Sequence, residues 1–70
     1  MTQVKNFFLN NEEYRTVDCI NLYDLITYFN YNESLLVLEY NQVILDQIHW
    51  KTTFIKNLDK IEIVTIVGGG

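Results

Sequence analysis

An α+β domain of five strands and one helix, in the order β-β-α-β-β-β, is what this sequence predicts, and three observations carry the expectation. The plainest is the last strand. Ile61-Glu62-Ile63-Val64-Thr65-Ile66-Val67 is mostly β-branched, stiff at χ1 and suited to a pleated, half-buried surface. A single amphipathic helix stands in the middle, where Leu22, Leu25, Ile26 and Phe29 recur at i, i+3, i+4 and i+7. Finally, the polar pairs Asn10-Asn11 and Asn41-Gln42 interrupt apolar runs and read as tight hairpin turns.

Taken in order, Val4 to Leu9 alternates poorly, but its aromatic content favours a strand. Asn10-Asn11 tolerates φ > 0, and Glu13 to Val17 returns as the second strand. Asn21 is a good N-cap, with Asp24 placed as its capping-box partner near the positive end of the helix dipole. The helix is expected over about Leu22 to Asn30, ended by the turn chemistry of Asn30, Asn32, Glu33 and Ser34. Leu35 to Tyr40 reads as the third strand and Val43 to Leu45 as a short fourth. Asp46 to Phe54 has no clean period; Trp50 is expected to pack it down as a short turn or single helical turn. Asn57-Leu58-Asp59-Lys60 is the last polar corner before the closing strand.

A chain of 70 residues makes one domain, residues 1–70, small enough to bury only about 60% of its unfolded surface. Five tyrosines, four phenylalanines and one tryptophan supply core volume without staples. One cysteine forms no internal disulfide, in keeping with a reducing compartment. The formal charge of −4 and the scatter of five basic residues speak against nucleic acid and for a basic or amphipathic partner surface. Neither a membrane-spanning run nor a signal sequence is read, so the expectation is a soluble, intracellular chain, monomeric when free.

The closing strand runs directly into Gly68, Gly69 and Gly70, expected to leave the sheet as a mobile tail reaching at most about 10 Å. An α-carboxyl is ionised at neutral pH, so Gly70 would carry an oxygen nucleophile on a stalk slim enough for a narrow tunnel. A frayed end or an expression scar is the plainer alternative.

The element order, the length and the glycine end resemble the ubiquitin-like β-grasp sulfur carriers, most closely the thiamin-biosynthesis (ThiS) branch. The residues that carry the resemblance are Asn10, Asn21-Leu22-x-Asp24-Leu25-Ile26, Glu39-Tyr40-Asn41, Trp50, and Asp59-x-Ile61-Glu62-Ile63-Val64-x-x-Val67-Gly68-Gly69-Gly70. Leu58 departs from the glycine usual at that corner, as do Thr52 to Phe54 from the small or Pro-rich residues usual there; the first departure bears on the turn's shape and not on the tail.

That resemblance implies a carrier and not an enzyme. A ThiF-like adenylyltransferase would use Mg and ATP, so this chain itself binds no cofactor. The Gly70 carboxylate would become an acyl-adenylate and then a thiocarboxylate. Its sulfur would come from a cysteine desulfurase or rhodanese-type persulfide and pass to a thiazole synthase. Residence in a cytoplasm, or in a plastid stroma, follows from the same likeness. A molybdopterin-type sulfur carrier and a ubiquitin-like protein modifier would use the same activated glycine, and an inert β-grasp interaction module would not use it at all.

In the β-grasp arrangement the first, fifth and third strands lie side by side. With Ile61, Ile63, Leu38, Phe7 and Leu9 inward, period 2 sends Phe8, Val37, Glu39, Glu62, Val64 and Ile66 to the open face. An apolar patch of Phe8, Val37, Val64 and Ile66, rimmed by Glu39 and Glu62, is therefore expected where the adenylating partner docks, against the alternatives of scattered exposed side chains or a homodimer contact. Cys19 lacks a CxxC mate and His49 lacks a second histidine at ligand spacing, so neither a redox nor a metal role is expected. Ser34 reads as a loop or cap residue, and Glu12-Glu13 as a solvated corner.

Overall fold

Two asparagine-led turns set the registers of the sheet. Asn10 and Asn11 have φ of 50° and 69°, and Asn41 and Gln42 have φ of 50° and 71°, the doubly left-handed geometry that matches the twist of a two-residue hairpin. In this computed structural model, which describes residues 3–66, the first turn joins β1 (Lys5–Leu9) to β2 (Glu12–Thr16) with Leu9 opposite Glu12. The second joins β3 (Leu36–Tyr40) to β4 (Val43–Ile44) with Tyr40 opposite Val43. The last strand, β5 (Lys60–Thr65), lies between β1 and β3, giving the order β2-β1-β5-β3-β4. Among the described residues β1 and β5 pair in parallel and the other strand pairs are antiparallel. This is the ubiquitin-like β-grasp, with first, fifth and third strands adjacent.

Helix α1 (Leu22–Tyr28) opens on a full capping box: Asp24 N–H donates to Asn21 Oδ1 at 2.7 Å and Asn21 N–H donates to Asp24 Oδ2 at 3.4 Å. The helix stops two residues short of the Asn30 expected. Asn30 takes φ of 61°, its N–H bonds Thr27 O, and Tyr31 N–H reaches back to Ile26 O at 3.0 Å, which closes the last turn as a Schellman motif. After it, Asn32 caps a 3-10 turn at Glu33–Leu35, so β3 begins one residue later than its sequence suggests. The Trp50 segment is a six-residue 3-10 helix, Gln47–Thr52, longer than the single turn expected. Trp50 is 2% exposed, and its indole N–H donates to Leu45 O at 2.9 Å. Beyond it, Leu22 N–H bonds Thr53 O and Ile55 N–H bonds Ile20 O, pinning the start of α1 to this segment.

One face of the sheet and the inner stripe of α1 share the core. Phe7, Leu9, Leu38, Ile61 and Ile63 come from the strands, Leu22, Leu25 and Ile26 from the helix, and Trp50 and Ile55 close the end. Complete burial of such a side chain stabilises by about 1.5–3 kcal/mol. Leu22, Leu25, Ile26, Leu38 and Ile61, each below 2% exposed, are therefore the main apolar anchors.

Polar groups fix both ends of β5. At its start Asp59, 6% exposed, accepts from Lys56 N–H at 2.7 Å, Tyr40 O–H at 2.5 Å and Asn41 Nδ2 at 3.1 Å. Asn41 Oδ1 in turn accepts from Lys60 N–H at 2.8 Å. Farther along, Asn10 Oδ1 accepts from Ile63 N–H at 2.8 Å, where β1 has already turned away and offers no carbonyl. Leu58, the position of the missing glycine, takes φ of 70°, and its N–H bonds Asn6 O. The corner is left-handed without a glycine, held by the bonds around it.

Three outcomes follow. Asn10→Ala strips Ile63 N–H of its acceptor and puts a Cβ at positive φ without a compensating side chain, so urea denaturation should show a loss of about 2 kcal/mol or more; Asn10→Asp, which keeps the acceptor, should lose less than about half of that. At Leu58, glycine should be neutral or stabilising by up to about 1 kcal/mol, whereas Leu58→Ile should lose about 1 kcal/mol, the β-branched side chain being least tolerant of φ > 0. Burial, then the hydrogen bond and charge of Asp59, raise the Tyr40 phenol above its ordinary value of 10.0. A raised folded value means that this contribution is complete below about pH 10 and is lost as pH rises beyond it. Stability curves should therefore fall on the alkaline side, and Tyr40→Phe should be less stable at neutral pH but flatter above pH ~10.

Candidate partner-docking face and carrier terminus

Because Ile61 and Ile63 enter the core, the alternate β5 residues Glu62 and Val64 stand on the opposite face, away from α1. Val64 is 57% exposed. Antiparallel pairing sets Val37 directly beside Val64 and Glu39 directly beside Glu62. Phe8, from β1, is half-buried and registers with Lys60. Ile66, one residue past the strand, is 51% exposed, and its N–H donates to Leu35 O at 2.6 Å, so hydrogen bonding to the start of β3 continues to the last described residue.

The structure thus brings Phe8, Val37, Glu39, Glu62 and Val64 onto one open face, with Ile66 at its exit. Gly68, Gly69 and Gly70 lie outside the described residues. The face also holds residues that the sequence reading did not assign. Ile44 on β4 pairs with Glu39 and is 65% exposed, so a row of Ile44, Glu39 and Glu62 crosses three strands. Lys60 joins it from β5, and with Phe8, Asn11, Ile61 and Glu62 it lines a shallow depression of about 310 Å³. The signal for Ile44 was present: a two-residue turn at Asn41-Gln42 forces Glu39 opposite Ile44, and period 2 then sets the face.

Two features give this face a chemical character. Val37, Val64, Ile44 and Ile66 form an apolar half that a partner could cover with net gain. Glu39 and Glu62 sit directly across a strand pair, where like charges repel, so a cation placed over them would be favoured. The remaining residues singled out in the sequence lie elsewhere. Cys19 is exposed, the His49 carbonyl accepts from the hydroxyls of Thr52 and Thr53, and Ser34 donates to Asn32 Oδ1 in its 3-10 turn. Among the described residues, three or more His, Cys, Asp or Glu side chains are nowhere gathered to hold a metal, and no helix is long and apolar enough to cross a membrane.

Comparison with known proteins bears on the whole of this arrangement. The model of the ThiS family matches residues 7–70. The ycf40 protein of Trieres chinensis is 56% identical over 70 residues, covering 100% of this chain and 96% of the relative. The ycf40 protein of Porphyra purpurea is 34% identical over 62 residues, 89% of this chain and 87% of the relative. Among solved structures, the thiamine biosynthesis protein ThiS of Geobacter metallireducens superposes with a TM-score of 0.75 at 25% identity, over 93% of this chain and 99% of that one. A β-grasp body with a helix-free face along β5, matched by the family model from β1 through Gly70, is thus reached independently from geometry and from sequence likeness: the chain belongs to the ThiS family of ubiquitin-like sulfur carriers.

Proposed function

We propose that this chain carries sulfur for formation of the thiamin thiazole ring, on a thiocarboxylate at Gly70. The observation that carries the reading is the exposed apolar and acidic face lying on the same strand that leads into Gly68 and Gly69. A protein that docks on Val64, Val37 and Ile66 is, by construction, close to the chain end: the four residues after Ile66 span at most about 14 Å. The body therefore presents, and the partner reacts.

In this scheme a ThiF-like adenylyltransferase holds Mg-ATP. An oxygen of the Gly70 carboxylate attacks the α-phosphorus, pyrophosphate leaves, and the acyl carbon becomes electrophilic. The terminal sulfur of a persulfide, from a cysteine desulfurase or a rhodanese-type donor, attacks that carbon and AMP leaves. Cleavage of the sulfur–sulfur bond by a thiol then frees the thiocarboxylate, which a thiazole synthase consumes. Every catalytic group in this sequence belongs to a partner; this chain contributes the anchoring face and the acyl group. Glycines at positions 68 and 69 put no Cβ in the way of a close-fitting channel. The relatives bear the name of a plastid-encoded gene, ycf40, and we place the reaction in a plastid stroma.

Incubation with a ThiF-like adenylyltransferase, Mg-ATP and a persulfide donor, followed by intact-mass measurement, tests the scheme. The expected product is the free chain heavier by the difference between sulfur and oxygen. A heavier isopeptide-linked species would instead make it a protein modifier, and an unaltered mass would make the tail inert. Val64→Asp should reduce adenylation by at least about tenfold, a loss of about 1.4 kcal/mol in partner binding, while its denaturation midpoint stays near that of the parent because Val64 is already solvent-facing. Adenylation at the parental rate would remove the face from the scheme.

A further inference from the structure

We propose that the free edge of β2 is a two-fold interface, pairing with β2 of a second copy of this chain. The inference is independent of the sulfur-carrier reading and rests on the edge strand itself. β2 lies at one end of the sheet, opposite β4, so among the described residues one side of its backbone has no strand beside it. In a two-residue hairpin the closing pair, here Leu9 and Glu12, exchanges both backbone hydrogen bonds, and the pattern then alternates. It follows that Tyr14 directs its N–H and C=O towards β1, while Glu13 and Arg15 direct theirs outward.

The outward groups are flanked by side chains that complement themselves. An antiparallel two-fold pairing centred on Tyr14 sets Glu13 opposite Arg15 of the second copy and Arg15 opposite its Glu13. Each such pair exchanges two backbone hydrogen bonds and juxtaposes opposite charges. The register is specified as well. Centring the pairing on Glu13 or on Arg15 sets two identical charges against each other, so the neighbouring registers are disfavoured. Arg15 is already oriented on the open face of the sheet, with Nε donating to Asn6 Oδ1 at 3.2 Å.

The other face of the edge points the same way. There β2 and α1 border a groove of about 370 Å³ whose aromatic wall of Tyr14, Tyr28 and Phe29 is edged by the polar Thr16, Asp18 and Asp24. Tyr14 stacks with Phe7 at 5.8 Å between ring centroids and meets Phe29 edge-on at 5.3 Å, while Tyr28 is 79% exposed beside Phe29. In the two-fold pairing the Tyr14 rings of the two copies meet at the mouth of this groove, so an isologous contact covers aromatic surface that one copy leaves in water. The two sheets join into one of ten strands. The two β5 strands stand five strand spacings apart, about 24 Å, so both Val64 faces and both chain ends stay accessible. A dimer of this kind would differ from the free monomer expected from the sequence and would leave both copies open to loading.

Sedimentation velocity or light scattering on the full chain, from low micromolar to about 1 mM, tests this directly. The expected result is a mass that rises from one copy towards two. Glu13→Arg and Arg15→Glu should each weaken the association at least about tenfold, since each turns two attractive pairs into repulsive ones, and the double swap E13R/R15E should restore it. Circular dichroism on each variant verifies that it is folded, and having two single variants keeps the test usable should one of them not fold. A single-copy mass throughout overturns the proposal. So does a dimer of undiminished strength in both single variants, or a double swap that fails to restore association.

Discussion

Everything in this fold depends on holding β5 at the centre of the sheet. It lies between β1 and β3, strands that the helix separates in sequence, and it leads towards Gly68, Gly69 and Gly70 in the sequence. Parallel pairing with β1 is short, Phe8 with Lys60 and Leu9 with Ile61, so that edge alone holds it weakly. The antiparallel pairing with β3 runs from Leu36–Thr65 to Tyr40–Ile61 and supplies most of the backbone bonds. Asn10 compensates on the weak side: once β1 has turned, its amide oxygen stands where a strand carbonyl would have been.

The same economy governs the corner before β5. Asp59 is nearly buried, which is unfavourable for a carboxylate unless its oxygens are saturated with donors. Here a backbone N–H, a phenol and an amide satisfy it, and they come from two segments far apart in the chain. The result couples the β3–β4 turn to the start of β5 by directional bonds, where apolar packing alone would permit sliding. Apolar contacts give the body its stability, and these polar contacts give β5 its position. That division explains how Leu58 tolerates a left-handed backbone: the bonds of Asn6, Lys56 and Asp59 around it over-determine the turn.

The proposed scheme asks for a body that holds its shape close to the terminal glycine. Hydrogen bonding between Leu35 and Ile66 takes the rigid part to within four residues of Gly70. The face beside it is apolar at Val37 and Val64 and doubly acidic at Glu39 and Glu62, a combination that suits recognition by a partner rather than packing within the chain. With β2 at the far edge and β5 in the centre, a sheet can use its edge for one contact and its open face for another without the two competing.

By itself the sequence determined the element order, the two Asn-led turns, the Asn21–Asp24 capping box, the inward set of Ile61, Ile63, Leu38, Phe7 and Leu9, and hence which strand residues face outward. Those are local matters: period 2, period 3.6, side-chain capping and positive φ all act over a few residues, so they can be read along the chain. Tertiary structure alone decided that Asp59 is a buried hub, that Asn10 serves β5 as well as its own turn, and that residues 53–55 pin the start of α1. Each joins segments far apart in the chain through side-chain oxygens or backbone bonds, and no periodicity along the chain marks such a partner. The helix end at Tyr28 and the longer Trp50 segment belong to the same class, because a Schellman closure and an indole bonded to Leu45 depend on what the chain packs against once it has folded.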